Sequence, residues 1–193
     1  MNWESLLCMG DSITRGARTY LGYPEVASHL LGRATPVAWT SWNFAWNGYR
    51  AIDLLRAIDE HRAAIAQFNP SLCTIMIGTN DAKDGVRAED YALVMEQVVT
   101  KARLLTQNRH VMLLGVPPLS AGMSLPYNAA MNEHIEAYNT ALRQLAVQTR
   151  CSFLEIACTE QDLIDGVHLS EVGVRSFATQ LRDRILLDRG LHG

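Results

Sequence analysis

The sequence predicts an α/β fold in three layers, a parallel sheet of five strands covered by helices on both faces. Short β-branched or apolar runs alternate along the chain with longer stretches of helical period, and each short run is bounded by Gly, Pro or Asn. The unusual residues also gather in loops that follow strands, where open α/β sheets place their ligand sites.

In chain order, the first two strands cover residues 5–9 and 37–43. The stripe Ile52, Leu55, Ile58 and Ile65 then has the spacing of one helix face laid on the sheet. A third strand, 72–77, precedes a second stripe of Tyr91, Val94, Val98, Ala102 and Leu105. The fourth strand, 110–116, runs into a loose segment, 117–128, rich in Pro, Gly and Ser, whose Pro117-Pro118 shapes a cleft wall. Met131, Ile135, Tyr138, Leu142 and Leu145 mark a third helix, and residues 152–156 the fifth strand. Val174, Phe177, Leu181 and Ile185 mark the last helix; Ser170 is its cap candidate, without the partner of a full capping box.

Composition narrows the class. With 193 residues, 48% hydrophobic and 19% charged, the chain reads as one domain over 1–193, with no repeat, low-complexity tract or linker. A net charge of -3 and the lack of a basic run exclude nucleic acid as a partner. Apolar runs such as 111–118 are too short to span a bilayer. Met1-Asn2-Trp3-Glu4 leads into the first strand without the regions of a signal peptide, so the chain reads as cytoplasmic. The four cysteines show no C-x-x-C spacing, and three fall in apolar runs read as strands; neither a disulfide nor zinc is expected.

Four segments carry the chemistry. Gly10-Asp11-Ser12-Ile13-Thr14-Arg15-Gly16 follows the first strand, its glycines allowing a sharp turn that exposes the Ser12 hydroxyl near free backbone N–H groups. Alone it reads as a turn with a capping serine, and it lacks the Gly-Lys-Ser/Thr ending of a phosphate-binding loop. Asn43-Phe44-Ala45-Trp46-Asn47-Gly48 follows the second strand, and Gly78-Thr79-Asn80-Asp81 the third. Three consecutive strands thus deliver a hydroxyl, a glycine N–H and an Asn amide to one sheet edge, the inventory of an oxyanion hole. Asp165-Gly166-Val167-His168 precedes the last helix. A serine hydroxyl needs a base to take its proton, and an imidazole needs a carboxylate to hold its tautomer.

Gly10-Asp11-Ser12, Asn43 with Gly48, Gly78-Thr79-Asn80-Asp81 and Asp165-x-x-His168 resemble, in order, the four sequence blocks of SGNH (GDSL-type) hydrolases. The resemblance implies a flavodoxin-like sheet and an esterase in which Ser12 is the nucleophile, His168 the general base then acid, and Asp165 its orienting partner. It further implies an oxyanion hole built from the Ser12 N–H, the Gly48 N–H and the Asn80 side-chain amide, with no metal or organic cofactor. Two departures stand out: Ala45 replaces a glycine common in the family, and Tyr49-Arg50 replaces a smaller polar pair, so that a bulky Tyr49 narrows the cleft.

The expected substrate is a small-molecule or carbohydrate ester with a short acyl group, since the chain has no long apolar lid. A carbohydrate O-deacetylase and a thioesterase or lysophospholipase are the alternatives within enzymes. A binding module that has lost catalysis is the alternative outside them, opposed by the presence of all five candidate groups. Of Trp39, Trp42 and Trp46, at least two are expected in the core. Arg15, Lys83 and Arg87 read as solvated surface, and His29, His61, His110 and His134 receive no role.

Overall fold

The computed structural model describes residues 3–106, 110–120, 122–123 and 126–191. Five strands form one parallel sheet: β1 (Trp3–Gly10), β2 (Ala38–Ala45), β3 (Leu72–Met76), β4 (His110–Leu114) and β5 (Ser152–Leu154), in the order β2-β1-β3-β4-β5. This is the flavodoxin-like order that the motifs implied. Pairing is parallel throughout, with Gly10 opposite both Ala45 and Met76, so the three strands nearest the candidate motifs end level with one another.

The helices divide between the two faces. Along β1, Leu7 and Met9 face a core shared with α3 (Ala51–Glu60), α4 (Arg62–Phe68), α6 (Ala88–Leu105) and α7 (Met131–Thr149). Leu6 and Cys8 face the other way, against Tyr23, Ala27 and Leu31 of α2 (Tyr23–Ala34) and Phe177, Leu181 and Ile185 of α8 (Glu171–Asp188). Alternation along a strand puts successive side chains on opposite faces, and a central strand buried on both sides must be apolar at every position. That is what Leu6-Leu7-Cys8-Met9 supplies.

Several expectations need correction. Helix α2 was not marked, although Pro24 in its first turn and Tyr23, Ala27 and Leu31 at four-residue spacing give both a start signal and an apolar stripe. The stripe from Ile52 to Ile65 is two helices, broken at His61, whose ψ of 13° leaves the helical range. β2 continues through Phe44 and Ala45 rather than stopping at Asn43. β4 stops at Leu114 rather than 116 because the Asn139 side chain captures the next stretch: Val116 N–H donates to Asn139 Oδ1 at 2.8 Å, and Asn139 Nδ2 to the Val116 carbonyl at 2.9 Å. Only two cysteines, Cys8 and Cys73, lie in strands, while Cys151 and Cys158 flank β5. Among the described residues no helix is long and apolar enough to cross a membrane.

Candidate active site

The site begins where β1 meets a single helical turn, α1 (Ser12–Arg15). A side chain at Gly10 would stand 2.2 Å from Thr14 Oγ1 and 2.4 Å from the Met76 carbonyl, so glycine is required here by close approach. Asp11 caps the turn by accepting the Ile13 N–H at 2.9 Å. Gly16, at φ 77°, ends it. Ser12 is the first helical residue, and its N–H is one of those a helix leaves without an internal partner. Ser12 as a residue is 7% accessible, and its hydroxyl is engaged by the His168 ring.

His168 arrives from the far end of the chain. Its Nε2 lies 3.0 Å from Ser12 Oγ, and its Nδ1 lies 2.8 Å from Asp165 Oδ2. The other Asp165 oxygen accepts the backbone N–H groups of Val167 and His168, at 3.1 and 2.8 Å. Partial burial pushes the Asp165 carboxyl up, but the His168 N–H, the His168 ring and the Val167 N–H together hold it below the ordinary carboxylate range. The loop itself is closed at its base by an antiparallel bridge between Leu163 and Leu169 and by Ile164 N–H on the His168 carbonyl at 2.9 Å. At its tip Gly166, φ 79°, lies where a Cβ would strike Met123, and its carbonyl accepts Ser120 N–H at 3.0 Å.

Gly48 and Asn80 stand on either side, after β2 and β3 in a sheet whose middle strand at this point is β1. Gly48 has φ 80°, a conformation open to glycine, and its N–H makes no hydrogen bond among the described residues. Asn80 lies in the short helix α5 (Thr79–Lys83). Its Nδ2 donates to the Tyr49 carbonyl at 3.0 Å, while its Oδ1 accepts from Lys83 Nζ and Tyr127 Oη, each at 3.4 Å. Donors on one side and a carbonyl on the other fix which way the amide faces, and the second Nδ2 hydrogen stays available.

Asn43, which marked the second block, has a binding role within the fold: its Nδ2 donates to the Thr14 carbonyl at 3.1 Å and to Glu25 Oε1 at 3.1 Å, tying β2 to α1 and α2. Trp42 packs edge-on against Phe44 and Phe68, Trp39 lies under the Arg189 guanidinium, and Trp46 stacks on Tyr49 with ring centroids 5.0 Å apart. Arg15, Lys83 and Arg87 all hold internal partners, Ala45, Asn80 and Asp90 respectively. The sequence reading missed Arg18, whose Nε lies 3.3 Å from Asp165 Oδ2. An exposed arginine in a loop carries no periodic signal that could have found it. A cavity of about 840 Å³ among Trp3, Glu4, Arg103, His110 and Arg189 opens at the opposite edge of the sheet, away from Ser12.

Among known proteins, the profile of the GDSL-like Lipase/Acylhydrolase family matches residues 8–175. The chain belongs to this family. That span takes in every block from Asp11 to His168, and membership makes the chain a carboxylic ester hydrolase. No curated protein sequence matches it. Among solved structures, this GDSL-like hydrolase is similar to a lipase/acylhydrolase from Enterococcus faecalis, with 18% identity, 96% of each chain covered and a TM-score of 0.75. It is similar to an α/β hydrolase from the metagenome of Lake Arreo, Spain (19% identity, 98% of this chain and 97% of that one, TM-score 0.73). It is also similar to an acetylxylan esterase from Geobacillus stearothermophilus (21% identity, 98% of this chain and 95% of that one, TM-score 0.71). At these identities the likeness is one of fold.

Proposed function

We propose that this hydrolase cleaves carboxylic esters of short acyl groups by two-step acyl transfer, with Ser12 as nucleophile, His168 as general base and then acid, and Asp165 as the carboxylate that orients the imidazole. The observation that carries the reading is the unbroken run from Ser12 Oγ to His168 Nε2 at 3.0 Å and from His168 Nδ1 to Asp165 Oδ2 at 2.8 Å. With Asp165 accepting from Nδ1–H, the lone pair sits on Nε2, facing the hydroxyl.

Ser12 Oγ attacks the ester carbonyl carbon as Nε2 takes its proton. The carbonyl oxygen, now an oxyanion, accepts from the Ser12 N–H, the Gly48 N–H and the free Asn80 amide hydrogen. Collapse expels the alcohol, protonated by His168, and leaves an acyl-serine. Water, deprotonated by the same imidazole, then attacks the acyl group and releases the acid.

A carbohydrate O-acetyl ester is the second reading, favoured by the stacked Trp46–Tyr49 pair beside Gly48 and by the likeness to an acetylxylan esterase. A series of p-nitrophenyl esters of increasing acyl length, run beside acetylated xylan and an acyl thioester, separates these substrates. Turnover is expected to be greatest on the shortest p-nitrophenyl esters, and Ser12→Ala to lose at least about a thousandfold in kcat. A fluorophosphonate probe should modify Ser12 stoichiometrically; a labelled protein whose modification maps elsewhere would sink the assignment.

A further inference from the structure

Asn80 and its neighbour Asp81 grip the loop between β2 and α3 at two adjacent points. Asn80 Nδ2 holds the Tyr49 carbonyl at 3.0 Å, and the Ala51 N–H donates to both Asp81 carboxylate oxygens, at 3.0 and 3.3 Å. Ala51 opens α3, so its N–H is one that the helix cannot satisfy internally, and a carboxylate there also meets the positive end of the helix dipole.

Capping alone does not account for Asp81. Asp53 reaches back to a different donor, the Arg50 N–H, at 3.1 Å, and an exposed acceptor for the Ala51 N–H would meet the capping need without burying a charge. Asp81 is only 3% accessible. A carboxylate so deeply buried is costly unless it secures something in return. What it secures is the spacing between two elements that sequence separates by thirty positions, one carrying Gly48 and the other Asn80.

We infer that Asp81 is a positioning residue for the reaction: its carboxylate pins the start of α3, and with it the Gly48–Tyr49 turn, against α5, so that the Gly48 N–H and the Asn80 amide keep one separation around the oxyanion. The inference rests on the assignment of those two donors to the oxyanion. Tyr49 and Ala51 flank Arg50, and both are bonded to successive residues of α5, so the turn is held at two points rather than hinged at one.

The charges around Asp81 come from every side. Arg50 at the start of α3 attracts it and Asp53 repels it; Asp11 after β1, Tyr91 on α6 and Tyr138 on α7 lie within reach of its field. On its own helix, Lys83 pairs with Asp84 at 3.7 Å. Burial holds the Asp81 carboxyl up at about 6, against the Ala51 N–H and Arg50, which lower it. Below that pH the carboxyl takes a proton and becomes a weaker acceptor, so the pin loosens.

The test uses Asp81→Asn, which keeps the shape and removes the charge, and Asp81→Ala, which leaves the Ala51 N–H without an acceptor. Both are compared with wild type and Asn80→Ala for kcat and KM on p-nitrophenyl acetate from pH 5 to 9, with a thermal melt of each. Because small misplacements of a reacting group are costly, kcat at pH 8 should fall about tenfold in Asp81→Asn and about a hundredfold in Asp81→Ala, with KM within about twofold. The acid limb of kcat should lose one ionisation in Asp81→Asn. Folded Asp81→Asn with wild-type kcat and an unchanged pH profile overturns the inference, as does a variant that melts lower with kcat unaltered. Should Asp81→Ala fail to fold, Asp81→Asn alone decides. If Asn80→Ala keeps wild-type kcat, the oxyanion assignment fails first and the inference falls with it; if Asn80→Ala is crippled while the Asp81 variants are not, only the inference falls.

Discussion

Asp11 holds two demands in tension. Its Oδ1 caps α1 by accepting the Ile13 N–H, yet the residue is 1% accessible and its Oδ2 has no partner among the described residues. Burial, opposed by the Ile13 N–H and aided by the nearby Asp81 charge, pushes its carboxyl up to about 7. A folded-state value above the unfolded 3.8 means that the native protein binds more protons across that window. The stabilisation is therefore full below about pH 4 and fades as pH rises through about 7. Asp11→Asn keeps the cap acceptor and removes the charge, so its stability relative to wild type should be higher at pH 8 than at pH 4, by up to about 4 kcal/mol in urea titrations. An equal difference at both pH values would contradict it. The sequence singled out Ser12, Gly48, Asn80, Asp165 and His168 as candidates through the ordered motif blocks, and the fold brings Ser12, His168 and Asp165 into one hydrogen-bonded run. Arg18 and Asp81 escaped because their partners lie on other elements, and only the folded chain brings a carboxylate to Arg18 or an unpaired N–H to Asp81.

Elements set how firmly the imidazole is held. Ser170 caps α8, accepting the Gly173 N–H at 3.1 Å and donating to the Gln161 carbonyl at 3.0 Å, two residues after His168. Ser170→Ala should cost about 1 kcal/mol of stability, the usual value of a lost cap. Turnover should change little, because the Leu163–Leu169 bridge and the Ile164–His168 bond hold the loop independently of the cap. A thermal melt and kcat on one ester check both halves. At this scale the apolar stripes located α6, α7 and α8 well, since their periodicity is sustained over several turns. The break at His61 and the early end of β4 were not visible, because the first is a single torsion and the second depends on Asn139 reaching across from α7.

Across the whole molecule the sheet separates two apolar layers that share no helix. Leu31 on α2 and Leu142 on α7 are both fully packed, one in each layer. Each Leu→Ala change should cost about 2 to 5 kcal/mol. The two losses should add to within about 0.5 kcal/mol in the double variant, since distant sites without shared partners act independently. Strong coupling in that cycle would mean that the layers communicate through the sheet. The sheet order β2-β1-β3-β4-β5 left no trace in periodicity and was accessible only through the motif blocks, because strand neighbours are chosen by crossovers rather than by local pattern.

The Ser12–His168 contact spans 156 positions, joining the first loop of the fold to the last. On the proposed mechanism, hydrolysis therefore requires the two ends of the chain to meet. On dilution from denaturant, ester cleavage should not return ahead of the far-ultraviolet signal, because it needs the Ser12 and His168 loops brought together.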